Sequence, residues 1–210
     1  MNEDVNMNGA ESLVRTLVKN DVDVCFTNPG TSEMHFVAAL DKVPGIKCVL
    51  GLFEGVITGA ADGYYRIAEK PASTLLHLGP GLANGLANLH NAKKANSGIV
   101  NIVGQHTLSH LELESPLTSD IEGIARPVSH WVKTSVSSEN ISKDGAEAIY
   151  IANNDPGKIA TLILPADTAW GKASNIVSAE KPMPRKKVNK DNIVKTAKIL
   201  TNGKNSTLVL

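Results

Sequence analysis

The chain has 210 residues, of which 42% are hydrophobic and 20% are charged, as is usual for a globular protein. Its 21 lysines and arginines balance its 21 aspartates and glutamates, so no overall basic field indicates binding to nucleic acid or to an anionic membrane. The sequence has no apolar run long enough to cross a bilayer, and its polar start differs from a secretory signal peptide. We therefore expect a cytoplasmic protein without nucleic-acid or membrane partners.

The first half of the chain alternates helix and strand patterns. Leu13, Leu17 and Val18 share one face of the first predicted helix. The turn 28–31 separates the first strand from the second helix. The predicted bounds are 9–20 for the first helix, 22–26 for the first strand, 33–40 for the second helix, 46–52 for the second strand and 55–69 for the third helix.

The same alternation continues in the second half. Gly79-Pro80-Gly81 predicts a loop between a strand and a helix, and Ser138 is a candidate N-cap for a later helix. The predicted bounds are 73–78 for a strand, 82–95 for a helix, 98–103 for a strand, 108–125 for an irregular or partly helical stretch, 138–153 for a helix and 159–164 for the last strand.

Strand–helix repeats at this spacing predict right-handed crossovers and a mostly parallel sheet. Apolar runs without alternation, such as 161–164, are typical of strands covered on both faces. The sequence therefore predicts an α/β fold, doubly wound, with helices on both faces of the sheet, over residues 1–170.

The two cysteines and the histidines give no metal-binding spacing. Cys25 and Cys48 lie in apolar stretches that we interpret as strands, so we expect buried, reduced thiols. The sequence contains no Cys-x-x-Cys motif and no helical histidine pair of the kind that binds zinc. We therefore expect no metal ligand in this chain.

Residues 171–190 differ in composition from the preceding domain. Pro182, Pro184 and six basic residues, among them Arg185 and Lys186, are opposed only by Glu180. We interpret this stretch as a solvated linker between domains, with a nucleic-acid or phosphate patch as the alternative.

A helix capped by Asp191 and a strand from Thr207 follow the linker. An isolated βα unit of this kind cannot bury its apolar face. We therefore expect residues 191–210 to open a truncated central domain, and the natural protein to be longer.

Polar residues follow the ends of three predicted strands. Asn28-Pro29-Gly30-Thr31 follows the first, Glu54 the second, and His77 lies at the end of the third, ahead of Gly79-Pro80-Gly81. Ligands of open parallel sheets bind beyond the carboxyl ends of the strands. We expect the sheet to bring these clusters to one edge.

Each candidate also has a structural interpretation. Glu54 is either a helix-start glutamate favoured by the helix dipole or a desolvated carboxylate that needs a partner. His77 is either a hydrogen-bonded core histidine or a functional one, and Thr31 is either an N-cap or a hydroxyl at the ligand edge. No P-loop and no dinucleotide fingerprint occurs, so the residues by themselves do not name the ligand.

Segments at these positions, in the same order, are similar to the N-terminal domain of thiamine-diphosphate enzymes such as acetolactate synthase and benzoylformate decarboxylase. Several ordered segments are far more specific than any one of them. They are residues 26–33, 54–71, 77–84, 104–105 and 164–167, and the similarity extends over about residues 8–170.

The resemblance implies a role for Glu54. In this family the glutamate hydrogen-bonds a ring nitrogen of the aminopyrimidine and favours the tautomer that removes the thiazolium C2 proton. The cofactor carries the hard chemistry, and the protein sets its geometry and protonation.

The resemblance also implies roles for other residues of the three clusters. His77 would act in catalysis and contact the substrate together with Thr31 and Gln105. The residues implied to bind the cofactor besides Glu54 are Asn28, Pro29, Gly30, Gly79, Pro80, Gly81 and Asn84.

Two departures from the family pattern bear on the substrate. Phe53 stands where many members have histidine, and Gly55 where acetolactate synthases have glutamine. The resemblance implies an acetolactate-synthase-like carboligase, of the kind used in branched-chain amino acid biosynthesis, which decarboxylates pyruvate and forms a C–C bond. The alternatives are a decarboxylase of aryl or branched-chain 2-oxo acids and a non-catalytic, stand-alone binding domain.

The family resemblance implies further components. The diphosphate would be held through Mg²⁺ by a C-terminal domain whose motif is absent here, and FAD is an open option for the central domain. The active site would lie between the subunits of a homodimer or homotetramer that acts on a small 2-oxo acid. We therefore expect this chain by itself to be inactive.

Overall fold

The computed structural model describes residues 7–182, 187–205 and 207. Eight strands are assigned within these residues. They are β1 (Met7–Asn8), β2 (Val24–Asn28), β3 (Lys47–Leu50), β4 (Ala72–Leu76), β5 (Ile99–Gln105), β6 (Trp131–Thr134), β7 (Ile159–Pro165) and β8 (Lys172–Ala173).

Helices connect these strands. They are α1 (Gly9–Lys19), α2 (Met34–Lys42), α3 (Glu54–Ala68), α4 (Leu78–Lys94), α5 (Ile121–Ala125), α6 (Ile141–Ala152), α7 (Ala166–Trp170) and α8 (Lys190–Leu200). Short 3₁₀ turns span Thr31–Glu33 and Leu108–Leu113.

The main sheet has six parallel strands in the order β3-β2-β4-β5-β7-β6. The chain leaves β2 for β3 on one side and then crosses to β4 on the other. The crevice between the carboxyl ends of β2 and β4 is therefore the switch point of the sheet, where open α/β folds bind ligands. The predicted doubly wound parallel fold is confirmed.

Two apolar clusters fill the space between the sheet and its helices. One contains Leu13 and Leu17 of α1 together with Ile149 of α6, and the other contains Leu82 and Leu89 of α4. Strands β5 and β7 are buried along their whole length, as is typical of parallel strands covered on both faces. The predicted inward face of α1 is confirmed for both leucines, while Val18 is only partly buried.

Several predicted elements differ from the observed ones. Gly79-Pro80-Gly81 lies in the first turn of α4, so the predicted loop is wrong; proline is well tolerated at this position because the first helical amides have no partner within the helix. The N-cap of α6 is Asn140 instead of Ser138. Strand β6 was not predicted, because its four residues are all only partly buried and show no clear alternation.

The two thiols have different surroundings. Cys25 is buried, and burial raises the pKa of its thiol to about 12. Cys48 is exposed because β3 is an edge strand, so the expectation of a buried Cys48 is wrong. Exposure along β3 extends to Leu50, whose side chain is 65% exposed.

Residues 174–179, here called the strap, lie along α1. Ser12 Oγ donates to the Asn175 carbonyl at 2.6 Å, and Asn20 Nδ2 donates to the Val177 carbonyl at 2.9 Å. Before the strap, β8 pairs with β1 in antiparallel register. The strap is therefore held against the domain through its backbone groups, and its interpretation as part of an interdomain linker stays a prediction.

The last described helix, α8, matches the predicted helix, but its N-cap is Asn189 instead of Asp191. All its described side chains are exposed. Arg185 and Lys186 lie outside the described residues, and so does the strand predicted from Thr207, apart from Thr207 itself. Within the described ranges, no helix is both long and apolar enough to cross a membrane.

Candidate functional site

His77 lies at the switch point, immediately after β4. It is the N-cap of α4, and the next residue, Leu78, has φ = 52°. A left-handed conformation is unfavourable for leucine and is retained where the surroundings over-determine it; here the Leu78 side chain is buried in the core. The resulting sharp bend places the imidazole at the edge of the sheet, with about a quarter of the side chain exposed.

The imidazole of His77 contacts a buried carboxylate. Its Nδ1 lies 2.8 Å from Glu33 Oε2, and the Glu33 side chain is fully buried. The same oxygen accepts the backbone N–H of Gly30 at 2.7 Å. Residues from the ends of β2 and β4 are thus joined, as the sheet geometry predicts.

Glu54 begins α3 and is buried. Asn84 Nδ2 on α4 donates to its Oε2 at 3.0 Å. Among the described residues, Oε1 has no hydrogen-bond partner. An ideal Cβ built on Gly81 would lie 3.4 Å from this Oε1 and 3.4 Å from the His77 Cβ, so Glu54 and His77 flank Gly81.

The remaining predicted residues take different positions at this edge. Asn28 ends β2 opposite Leu76 of β4, with Pro29 next to it and partly buried. Thr31 is exposed in the 3₁₀ turn and is not the N-cap, which is Gly30. Gln105 ends β5 and is buried.

The three residues Gly79, Pro80 and Gly81 in the first turn of α4 have different surroundings. A Cβ on Gly79 would lie 1.8 Å from Ser119 Oγ, so Gly79 packs against the loop before α5. Pro80 is exposed, and Gly81 faces Glu54.

Gln105 at the end of β5 is held by its own neighbour. Its side-chain Oε1 accepts the backbone N–H of His106 at 2.8 Å.

The two residues that depart from the family pattern contact each other. The ring of Phe53 folds back over Gly55, where an added Cβ would lie 2.4 Å from the Phe53 Cε1. Phe53 remains 51% exposed and is flanked by exposed Leu52 and Val56. Phenylalanine at 53 and glycine at 55 are therefore sterically matched, and they form an apolar rim beside Glu54.

Two residues of the site, Glu33 and Gly104, were not predicted from the sequence. Glu33 stands three residues after the N-cap Gly30 and hydrogen-bonds back to it, and this spacing is a recognisable helix-start signal. Gly104 lies inside β5, with a Cβ position only 1.6 Å from Glu33 Oε1. A glycine within a strand often marks such a close approach, but the sequence does not indicate what approaches.

The arrangement fits an aminopyrimidine and gives no sign of a metal. Within the described part of the chain, no group of three or more His, Cys, Asp or Glu residues could hold a metal ion. A buried carboxylate with one oxygen held by Asn84 and the other unpaired beside a glycine has the acceptor and the space that a ring nitrogen requires.

Comparison with known proteins agrees with this geometry. Residues 7–125 match the family described as "Thiamine pyrophosphate enzyme, N-terminal TPP binding domain". The chain belongs to this family. A Mycobacterium tuberculosis protein named as acetolactate synthase large subunit IlvX is 58% identical over 164 residues, which are 78% of this chain and 32% of that protein.

Two further proteins are similar to this chain at lower sequence identity. Benzoylformate decarboxylase of Pseudomonas aeruginosa is 29% identical, over 72% of this chain and 28% of its own length. The solved structure of a Rhodococcus jostii thiamine diphosphate-dependent 4-hydroxybenzoylformate decarboxylase shares the fold, with a TM-score of 0.82 at 23% identity, over 92% of this chain and 37% of that one. The chain spans less than a third of the length of the two sequence relatives.

Proposed function

We propose that this chain supplies the pyrimidine-contacting part of a thiamine-diphosphate-dependent enzyme that acts on 2-oxo acids. The observation that supports this most directly is Glu54, buried at the carboxyl edge with Asn84 on one oxygen and no partner on the other within the described residues. Thiamine diphosphate, when bound, supplies the electron sink for cleavage of the bond to the carboxylate.

In this proposal the residues of the chain orient the reactants and handle protons. Glu54 Oε1 accepts from, or shares a proton with, a ring nitrogen of the pyrimidine, and Asn84 holds the carboxyl group in place. A carboxylate hydrogen bond is stronger in a buried site than in water. His77 and Thr31 at the same edge contact the 2-oxo acid, and Gln105 forms part of the same substrate site.

Acetolactate-synthase-like carboligation is our first assignment of the reaction. It joins two 2-oxo acids with loss of carbon dioxide. Its support is the 58% identity to the Mycobacterium tuberculosis protein that carries this name. The substrate of that reaction would be pyruvate.

A decarboxylase of aryl or branched-chain 2-oxo acids is the second candidate. The observation in its favour is the His77–Glu33 pair, 2.8 Å apart at the cleft edge. A histidine held by a buried carboxylate is well placed to donate or accept a proton. A simple decarboxylation would require one proton for the product, which leaves as an aldehyde, whereas carboligation requires a second 2-oxo acid.

The complete enzyme would require parts that lie outside this domain. We propose that Mg²⁺ and the diphosphate are held by a C-terminal domain of a neighbouring subunit, in a homodimer or homotetramer, and that a central domain could carry FAD. The exposed apolar rim formed by Leu52, Phe53 and Val56 is consistent with cover by another subunit beside Glu54.

Product analysis of the complete protein tests the proposal. The protein is incubated with thiamine diphosphate, Mg²⁺ and either pyruvate or an aryl 2-oxo acid. Acetolactate from pyruvate supports the carboligase, and aldehyde as the sole organic product supports the decarboxylase. Failure to release carbon dioxide from any 2-oxo acid, with cofactor binding verified, would contradict both.

A further inference from the structure

We propose that Gly104 is a positioning residue. Because it has no side chain, it leaves space for the Glu33 carboxylate beside the backbone of β5. Through Glu33 it fixes His77 as the tautomer with the proton on Nδ1. Nε2 is then the nitrogen available for proton transfer in the cleft. The catalytic use of Nε2 rests on the proposed function, whereas the tautomer itself does not.

Close contacts with Gly30 and His77 hold the Glu33 carboxylate in position. Oε2 lies 2.7 Å from Gly30 N and 2.8 Å from His77 Nδ1. Oε1 is buried with no hydrogen-bond partner among the described residues. Such a group is costly to bury, and its persistence indicates that contacts around it hold the carboxylate in place.

Gly104 provides the space for that carboxylate. An added Cβ would lie 1.6 Å from Glu33 Oε1, 2.4 Å from its Cδ and 2.7 Å from its Cγ. These are the three nearest atoms, and all belong to Glu33. Any other residue at 104 must therefore displace the Glu33 side chain.

Gly30 provides the space on the other side of the pair. A Cβ there would lie 2.3 Å from His77 Nδ1 and 2.4 Å from its Cε1. The ring of His77 is thus pressed against the backbone of one strand end while its carboxylate partner is pressed against another. Gly30, which follows β2, and Gly104 in β5 thus leave the space that this pair occupies.

The hydrogen bonding determines the tautomer. An ionised carboxylate can only accept hydrogen bonds, so Nδ1 must carry the proton that it shares with Glu33. Nε2 has no hydrogen-bond partner among the described residues, and the side chain is 24% exposed. In histidine the partner of one ring nitrogen decides the state of the other. Neutral His77 therefore presents the Nε2 lone pair.

The test is ¹⁵N NMR of the histidine rings in the complete protein at alkaline pH, with His77 assigned by its loss in His77→Asn. Wild type is expected to show protonated Nδ1. Gly104→Ala and Glu33→Ala are expected to shift the proton toward Nε2. Gly63→Ala is the matched control, because no atom lies within 4 Å of the added Cβ; it should match wild type.

Two further variants separate positioning from a general loss of structure. Glu33→Gln retains an oxygen that can accept from Nδ1, so it should keep the wild-type tautomer, unlike Glu33→Ala. In the Glu33→Ala background, Gly104→Ala should add less destabilisation, because the three atoms nearest to the added Cβ are gone. A wild-type tautomer in folded Gly104→Ala, or equal destabilisation in both backgrounds, would overturn the proposal.

The readout does not depend on turnover. If the tautomer shifts as expected in a protein that decarboxylates no 2-oxo acid, the proposed function fails and the positioning role stands. If turnover occurs but the tautomer is the same in wild type and Gly104→Ala, the positioning role fails and the function stands.

Discussion

The carboxylates at the two edges of the parallel sheet differ in how completely they are hydrogen-bonded. At the amino edge, Asp23 accepts from Tyr64 at 2.7 Å and from Lys70 at 2.5 Å, so that both of its oxygens are paired. At the carboxyl edge, Glu33 Oε1 is buried without a partner among the described residues, and Glu54 accepts a hydrogen bond on Oε2 only.

A second carboxylate at the amino edge repeats this pattern. Asp62 accepts two hydrogen bonds from Arg66 and one from Ser97. Burial acts to raise the pKa of Asp62, but the hydrogen bonds from Arg66 and Ser97 outweigh it, so the pKa lies below its usual value. Satisfied carboxylates stabilise the fold, whereas unsatisfied buried ones cost stability and are expected where a ligand completes them.

The largest effect is expected for Glu54→Gln. The substitution retains the shape but removes the negative charge, and we expect turnover of the complete protein to fall by about 10²–10³-fold with an unchanged unfolding transition. The matched control is Glu69→Gln at the exposed far end of α3. Steady-state rates and thermal unfolding of both variants measure the effect; near-wild-type turnover of Glu54→Gln would refute its role.

The reverse pattern is expected for Asp62→Ala at the amino edge. It leaves the fully buried Ser97 without its partner, and we expect a loss of about 1–3 kcal/mol of unfolding free energy with unaltered turnover per folded molecule. Arg66→Ala, which removes the exposed member of the ion pair with Asp62, should cost much less. Urea unfolding compares them, and equal losses would mean that the Ser97 contact contributes nothing.

A smaller effect is expected for Thr31→Ala. The Thr31 side chain is exposed and is not a helix cap, so its loss should not alter stability. If its hydroxyl hydrogen-bonds the substrate, kcat/KM should fall by about fivefold, as one hydrogen bond contributes roughly 1 kcal/mol. Thr201→Ala, at the exposed C-cap of α8, is the control. Unaltered kinetics would remove Thr31 from the substrate site.

The smallest effect concerns pH. Burial, followed by the charges of Lys93 and Lys158, lowers the pKa of His130 below 6.5, and His130 Nδ1 accepts the backbone N–H of Ile159 at 3.0 Å. Because the unfolded state binds the proton more readily, stability should be complete above about pH 6.5 and decline slightly as pH falls below it.

Urea unfolding of wild type and His130→Asn between pH 5 and 8 measures this contribution. The variant lacks the titrating group, so its unfolding free energy should decline less between pH 6.5 and 5. Parallel declines in the two proteins would show that His130 makes no contribution.

The sequence predicted the fold and part of the site. Alternating apolar runs and helix patterns predicted the doubly wound sheet because they report the local period of the chain. Strand-end positions predicted that His77 and Glu54 would meet at one edge, and the structure places both beside Gly81. The roles assigned to them stay predictions.

Tertiary structure decided the rest. Glu33 and His77 are 44 residues apart and Glu54 and Asn84 are 30 apart, so no local pattern could pair them. The edge position of β3 exposes Cys48 although its sequence is that of a buried strand. A sequence determines local conformation through short-range sterics, whereas burial and pairing depend on which strands become neighbours.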